Sequence, residues 1–355
     1  MTPIKVLIVD DSALMRELLT TLLSQDPEIQ VIGSATDPLQ ARKMIKLLLP
    51  DVITLDIEMP KMDGLTFLEK IMTLRPMPVI MIASLTQRGA EATMKALELG
   101  AVDFFPKPTI DMHKSIEQRA NELILKVKTA ALANVKAFDK HSVQKKSNSL
   151  RSNFIAPTTE KIIAIGASTG GVEALTSIIS KLPFNSPAVL VTQHMPEKFT
   201  NAFAERLHKM SSVSVSEAQH GERVLPGHVY IARGGWHLEL KRSGEGYTCQ
   251  LTEKPPISGH RPSIDTLFKS TCKAAGENAI GVILTGMGKD GASGLLEMRK
   301  TGARTLGQDE SSSVVYGMPR AAFDAGAVES QVPLNKMTDT ILNLCGSIRN
   351  RYISV

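Results

Sequence analysis

Short apolar runs that do not alternate with polar residues recur along this chain, each followed by a stretch of helical period. That rhythm restricts the fold more than any other feature. Ile4–Val9 reads as a buried strand, and Leu14, Leu18, Leu19, Leu22 and Leu23 then line one helix face. Ile29–Gly33 and Val52–Leu55 read as strands flanking a helix that carries Ala41, Met44, Ile45 and Leu48. A helix with Leu65, Leu68, Ile71 and Met72, a strand at Val79–Ala83, a helix over residues 90–99 and a strand at Val102–Phe105 follow. Strands buried on both faces and joined by helices predict a parallel sheet covered on both sides. In such sheets chemistry gathers beyond the carboxyl ends of the strands.

The rhythm resumes at Lys161–Gly171, KIIAIGASTGG, where four apolar residues run into a glycine-rich turn carrying Ser168, and Val172, Leu175, Ile178 and Ile179 mark a helix. Gly166-Ala167-Ser168-Thr169-Gly170 fits G-x-S-x-G, in which glycines let the chain bend around a nucleophile. The same residues also suit any β-α turn, since Ser, Thr and Gly favour helix starts. Ala188–Thr192 is the next strand, ending in Gln193-His194-Met195-Pro196, and Phe199, Phe203, Ala204 and Leu207 follow on a helix. Val213–Val215 reads as a short strand. His228–Ala232, Trp236–Leu240 and Tyr247–Thr252 alternate between turn signals and predict a small antiparallel addition. Ala279–Thr285, the turn Gly286-Met287-Gly288-Lys289-Asp290-Gly291, a helix with Leu295, Leu296 and Met298, Arg304–Leu306 and a closing helix around Ile341–Leu344 return to the parallel pattern.

With 355 residues the chain exceeds what one core usually serves. The expected organisation is a first domain over 1–125, a helix and flexible linker over 126–159, and a second domain over 160–350. His141–Ser152, HSVQKKSNSLRS, is polar and basic, as connectors are. The predicted class is α/β, two doubly wound parallel-sheet domains, the first flavodoxin-like and the second Rossmann-like with a small antiparallel hairpin. A net charge of +5 is small for this length, and 4% aromatic residues with no basic interleaving argue against nucleic-acid binding. Three scattered cysteines form no C-x-x-C and suit a reducing compartment. No run nears ~20 apolar residues, so no membrane insertion is expected, and no signal peptide is visible. The chain reads as cytoplasmic.

In the first domain Asp10 and Asp11 follow the first strand, Asp56 the third, and Lys107-Pro108 the fifth. Three carboxylates converging on one sheet edge repel unless a cation neutralises them, and oxygen ligands of this kind suit Mg²⁺. An aspartate beside such an ion can attack a phosphoryl group, with a lysine balancing the added charge. VLIVDDSALMR, TLDIEMPKMDGL and DFFPKP together resemble the response-regulator receiver family. The resemblance implies Asp56 as phosphoacceptor, Asp10 and Asp11 with it as Mg²⁺ ligands, and Lys107 as the phosphoryl contact. One position departs. The family usually carries Thr or Ser at the end of its fourth strand, where alignment on IMIASLT puts Ala83, with Ser84 beside it. Either Ser84 substitutes through a shifted backbone or the phosphorylation switch is weakened.

A serine nucleophile needs a base oriented by a third group. Among His194, His208, His220, His228, His237 and His260, only His194 directly follows a buried-type strand and so shares the sheet edge with Ser168. His208 sits on an amphipathic helix face, and His260, in GHRPSID, reaches a pocket only from a loop. Asp290 and Asp309 both follow predicted strands; the glycines around Asp290 favour it and offer backbone N–H groups to an oxyanion, whereas a polar run after Asp309 suits a solvated turn. The order Ser…His…Asp is not that of the α/β-hydrolases. A dinucleotide site lacks G-x-G-x-x-G and an acidic residue on the next strand, and no G-K-[ST] marks a P-loop.

IGASTGGVEAL, VTQHMPEKFTNAFAERL, GHRPSIDTLF, ILTGMGKDGASGL and VVYGMPRAA together resemble the bacterial chemotaxis protein-glutamate methylesterase (CheB) family. The resemblance implies Ser168 as nucleophile, His194 as general base and acid, Asp290 as orienting carboxylate, the Met287 backbone amide as oxyanion donor and Thr169 beside the nucleophile. It implies methyl-accepting chemotaxis receptors as substrate, a chemotaxis histidine kinase as phosphodonor, glutamine deamidation as a second activity, and no cofactor for ester hydrolysis itself. The receiver is expected to restrain the esterase until Asp56 is phosphorylated. Two rivals remain at this level: a receiver-controlled binding module without chemistry, which a fluorophosphonate probe at Ser168 discriminates, and a nucleotide-dependent enzyme, which dinucleotide dialysis discriminates.

Overall fold

In the computed structural model, which describes residues 2–59, 62–107, 116–135 and 161–346, both expected parallel sheets are present. Pro108 and the polar stretch His141–Ser152 lie outside the described residues. The chain divides into two compact units, Met1–Lys146 and Ser147–Val355. Among the described residues no helix is long and apolar enough to cross a membrane.

The first unit runs β1 (Ile4–Val9), α1 (Ala13–Leu23), β2 (Ile29–Ala35), α2 (Pro38–Leu48), β3 (Val52–Asp56), α3 (Gly64–Leu74), β4 (Val79–Ala83), α4 (Gln87–Glu98), β5 (Asp103–Pro106) and α5 (Ile116–Ala131). Its five strands lie in the order β2-β1-β3-β4-β5, all parallel. Every residue of β3 and β4 is buried, which is why those segments show no polar alternation. Short polar caps start the helices: Ser12 accepts from the Met15 N–H, Asp37 from Leu39 and Gln40, Asp63 from Thr66 and Thr86 from Gly89. On α1, Leu19, Leu22 and Leu23 face the core, whereas Leu14 is exposed. The first turn of α1 begins just beyond the end of β1, where no strand remains to cover it.

The second unit runs β6 (Ile162–Ala167), α6 (Gly171–Ile179), β7 (Ala188–Gln193), α7 (Glu197–Met210), β8 (Ser214–Glu217), β9 (His228–Ile231), β10 (His237–Ser243), β11 (Gly246–Thr252), α8 (Ile264–Ala275), β12 (Ala279–Ile283), α9 (Ala292–Lys300), β13 (Arg304–Gln308), α10 (Met318–Asp324), β14 (Ser330–Val332) and α11 (Leu334–Gly346). Seven parallel strands lie in the order β14-β13-β12-β6-β7-β9-β8. The chain fills one side of β6 first and then crosses to the other, so the topological switch point lies between β6 and β12, where a crevice is expected.

One expectation is corrected. His228–Ala232 does not join the antiparallel addition; as β9 it lies parallel between β7 and β8, with Val229, Tyr230 and Ile231 all buried. The polar edges of Tyr230 and His228 imitate alternation that burial does not follow. Only β10 and β11 form the hairpin, and they turn Leu238, Leu240, Tyr247, Cys249 and Leu251 into a core shared with Leu267 and Phe268 of α8. Helices α8 and α10 and strand β14 were not expected.

Candidate active sites

In the second unit Ser168 follows β6, His194 follows β7 and Asp290 lies in the turn after β12, so three neighbouring strand ends supply the three side chains. His194 Nδ1 lies 3.1 Å from Ser168 Oγ and Nε2 lies 2.8 Å from Asp290 Oδ2. With a proton on Nε2, the ring donates to Asp290 and accepts the serine hydroxyl at Nδ1. The aspartate thus selects the tautomer that leaves a basic nitrogen facing the serine. The His194 side chain is only 7% exposed and that of Asp290 2%.

Asp290 is anchored by the start of α8. Its Oδ1 accepts the Ser263 hydroxyl at 2.9 Å and the Asp265 N–H at 3.1 Å, and Oδ2 accepts the Ile264 N–H at 2.8 Å. Burial pushes this carboxyl up, but the hydrogen bond and charge of His194, with the Ile264 and Asp265 amides, outweigh it and hold it below the usual aspartate value. An ionised carboxylate therefore backs the imidazole.

The glycines of the serine turn do a different job from the one G-x-S-x-G suggests. Among the described residues only Leu49 and Ser258 are non-glycines with positive φ, so Ser168 is not a strained elbow; Gly170 takes the left-handed turn at φ 77°. A Cβ on Gly166 would meet Ile264 Cγ2 at 2.2 Å, so this glycine lets α8 close on the sheet edge. Gly286 matters most directly: a Cβ there would stand 2.6 Å from the Ser168 Cβ. The turn carrying Met287 therefore passes against the serine, and Ser168 N donates to the Thr285 carbonyl at 3.0 Å. Thr169, adjacent to the serine, is buried, and its carbonyl accepts the Thr285 hydroxyl at 3.0 Å.

The other candidates fall away from this centre. Asp309 accepts from Ser311 and Ser312 in its own turn. His208 is exposed and accepts the Val215 N–H, His220 bonds the Leu251 backbone, and His228 lies against the Pro226 carbonyl. His237 is buried and structural, accepting from Ser263 N and donating to the Pro255 carbonyl. Two residues beside the centre, Ser263 and Gln193, have no role among the expectations above. Ser263 was legible as the polar residue before Ile264, Leu267 and Phe268, a helix-start pattern. Gln193, whose Nε2 donates to the Ser168 carbonyl at 2.9 Å and the His194 carbonyl at 3.3 Å, had no local signal. His260, expected to reach a pocket from its loop, does so beside the centre, its ring stacked on that of His194.

In the first unit Asp10 and Asp56 are buried, Asp11 is exposed, and Lys107 reaches in from the end of β5. Lys107 Nζ lies 2.8 Å from Asp56 Oδ1 and 4.0 Å from Asp10 Oδ2. Burial, then the neighbouring Asp56, pushes the Asp10 carboxyl up to about 6 against the opposing effects of Lys107 and the Ser12 amide. Burial raises Asp56 too, despite Lys107. Burial lowers Lys107, but Asp56 and Asp10 more than reverse that. One oxygen each from Asp10, Asp11 and Asp56 lie within 4.8 Å of one another. Asp10 Oδ2 and Asp56 Oδ2 are buried without a hydrogen-bond partner among the described residues. Two buried carboxylate oxygens without a hydrogen bond in an all-oxygen donor set fit Mg²⁺. Ala83 ends β4 with no side-chain hydroxyl, and the Ser84 hydroxyl lies 3.1 Å from that of Thr86, the cap of α4.

Residues 163–341 match the CheB methylesterase family model and residues 6–120 the response regulator receiver domain. A protein-glutamate methylesterase/protein-glutamine glutaminase 1 of Xanthomonas campestris pv. campestris is 52% identical over 354 residues, covering 98% of this chain and 99% of that one. One of the same name from Geobacter metallireducens is 52% identical over 363 residues, covering 99% of each. The crystal structure of the Thermotoga maritima CheB methylesterase catalytic domain matches with a TM-score of 0.51 and 38% identity, covering 52% of this chain and 98% of that chain.

Proposed function

The chain belongs to the CheB methylesterase family, and on that footing we propose that it is a phosphorylation-regulated serine esterase that removes methyl groups from glutamate methyl esters of chemoreceptors and deamidates receptor glutamines. The observation that carries the reading is the relay from Ser168 through His194 to Asp290 at the switch point of the sheet. Ser168 Oγ attacks the ester carbonyl while its proton passes to His194 Nδ1. The Met287 backbone N–H stabilises the tetrahedral oxyanion, a contribution typically worth about 2.7–4 kcal/mol per donor. His194 returns the proton to the leaving methoxide, methanol departs, and water hydrolyses the acyl-enzyme with His194 again as base. With a glutamine the leaving group is ammonia.

The organisation we propose is a receiver over 1–125, a helix and flexible linker over 126–159 and a catalytic domain over 160–350; helix α5 begins within the receiver and continues to Ala131. Asp56 is the phosphoacceptor, a chemotaxis histidine kinase the donor, and the cytoplasm the compartment. Asp10, Asp11 and Asp56 would hold Mg²⁺, which when bound offsets the charge gathered at the phosphoacceptor. Lys107 orients Asp56 through its 2.8 Å ion pair and faces the place where phosphoryl charge arrives. The test is methanol release from methylated receptor membranes, with and without a phosphodonor. Wild-type protein releases methanol faster with the donor, and Ser168→Ala releases none; release by Ser168→Ala at the wild-type rate sinks the assignment.

A further inference from the structure

We propose that His260 is a positioning residue for His194, holding the imidazole in the plane that serves both Ser168 and Asp290; this rests on the reading of His194 as the general base. The two rings stack with centroids 3.7 Å apart and planes 8° from parallel. The hydrogen bonds at Nδ1 and Nε2 fix two points of the His194 ring. They do not by themselves fix tilt about the line joining the two nitrogens. A flat ring laid on one face removes that freedom. It also covers that face from water while adding no competing donor in the plane of the relay.

The loop that carries His260 is built to hold it. Ile257 and His260 exchange both backbone hydrogen bonds, at 3.0 and 2.9 Å, around Ser258 and Gly259. These two residues take φ of 51° and 82°, the two-residue turn that needs left-handed backbone at both positions. Ser258 is one of only two non-glycines in that region among the described residues, and such conformations persist where surrounding structure enforces them. Both limbs of the loop are tied. Arg261 Nη1 donates to the Glu253 carbonyl at 2.9 Å, and the Arg261 carbonyl accepts Gly235 N at 3.2 Å. His237 bridges the Pro255 carbonyl and Ser263 N. Three residues after His260 the same segment delivers Ser263 and the first amides of α8 to Asp290. One pinned segment thus sets the carboxylate on one side of His194 and the stacking ring on its face.

The experiment compares His260→Phe, which keeps a flat ring without titratable nitrogens, with His260→Leu, which fills the space without one. Each is measured for kcat and KM on methylated receptor membranes and for the rate at which a fluorophosphonate labels Ser168. Loss of alignment costs up to about 10²-fold, so His260→Leu should lose roughly 10–100-fold in kcat with KM unchanged and label more slowly in proportion. His260→Phe should recover most of both. Wild-type kcat and labelling in His260→Leu, or His260→Phe as impaired as His260→Leu, overturns the proposal. If the wild type itself releases no methanol while labelling still depends on a flat ring at position 260, the substrate reading fails and the positioning role stands.

Discussion

Ser263 donates its hydroxyl to Asp290 across 2.9 Å, so the carboxylate that orients His194 is itself held by the residue that opens α8. Hydrogen bonds to charged groups contribute about 1.5–3 kcal/mol. Ser263→Ala should therefore destabilise the second unit by about that much and slow ester hydrolysis through a less firmly held His194. Urea unfolding at neutral pH and kcat on methylated receptor check the two effects.

The lowered Asp290 pKa fixes a sign for the pH dependence of stability. A carboxyl depressed in the folded state contributes stability that is fully present above its unfolded value, near 3.8, and is lost as pH falls through the lower folded value. The wild type should lose this component below about pH 4, where Asp290→Asn, lacking the charge, should show a shallower decline. Unfolding midpoints across the acid range test it, and parallel curves for the two proteins would refute it.

Gln193 ties the main chain at Ser168 to that at His194 through one buried amide. Gln193→Leu preserves bulk but removes both donors; the Ser168 carbonyl keeps the Gly171 N–H at 2.7 Å, whereas the His194 carbonyl loses its side-chain donor, at about 1–3 kcal/mol for a buried group so stranded. The expected result is a lower melting temperature and a fall in kcat that exceeds any change in KM. Unchanged kcat in a destabilised variant would confine Gln193 to a purely structural role.

The sheet framework and the triad were legible because both depend on strand ends. A buried strand is written as an unbroken apolar run, and a polar residue at its carboxyl end has one edge to reach; Ser168 and His194 follow from that rule, and Asp290 from its glycines. What escaped depends on contacts between distant segments. His260 is an ordinary loop residue until α8 and the β10–β11 hairpin fix its loop, and Gln193 looks like one more strand-end amide until the turn at Ser168 comes within 2.9 Å. Strand β9 mimics an antiparallel edge in its sequence because Tyr230 is buried with its hydroxyl donated to the Arg223 carbonyl, so an amphipathic residue sits at a fully covered position. The helix α8 pattern in SIDTLFKS is a short one, a polar cap at Ser263 followed by Ile264, Leu267 and Phe268 at helical spacing.

Asp10 and Asp56 place buried carboxylates side by side with one oxygen each lacking a hydrogen bond among the described residues. Mg²⁺ should stabilise the first unit, by about 2.7 kcal/mol at a hundredfold excess over its dissociation constant. Asp10→Asn should abolish that gain and, with one buried charge fewer, melt higher than the metal-free wild type. Thermal unfolding with Mg²⁺ and with a chelator reads both outcomes.

With Asp56 as the proposed phosphoacceptor, Ala83 bears on how strongly phosphorylation would control the enzyme. It ends β4, fully buried, and its carbonyl accepts the Lys107 N–H at 2.7 Å, so its side-chain position adjoins the phosphoacceptor's own ion-pair partner. Ser84 does not supply the missing hydroxyl in this conformation: its Oγ faces Thr86 and the start of α4, where a Cβ on Gly89 would meet it at 2.4 Å. Of the two expectations for this position, a shifted Ser84 would require its hydroxyl to leave Thr86, and the variants below distinguish it from a weakened switch. A hydroxyl restored at position 83 can hydrogen-bond the phosphoryl group, and about 1.5–3 kcal/mol from a charge-assisted bond shifts a two-state balance by roughly 10-fold or more. Ala83→Ser adds only the hydroxyl, and Ala83→Thr adds a methyl that the buried site must also accommodate. Both should raise the ratio of phosphorylated to unphosphorylated esterase activity, Ala83→Ser with less effect on stability. Phosphate incorporation at Asp56 is measured alongside, so that a change in switching is separated from a change in phosphorylation. Equal incorporation with no larger activity ratio in either variant would mean that this hydroxyl is not what limits the switch.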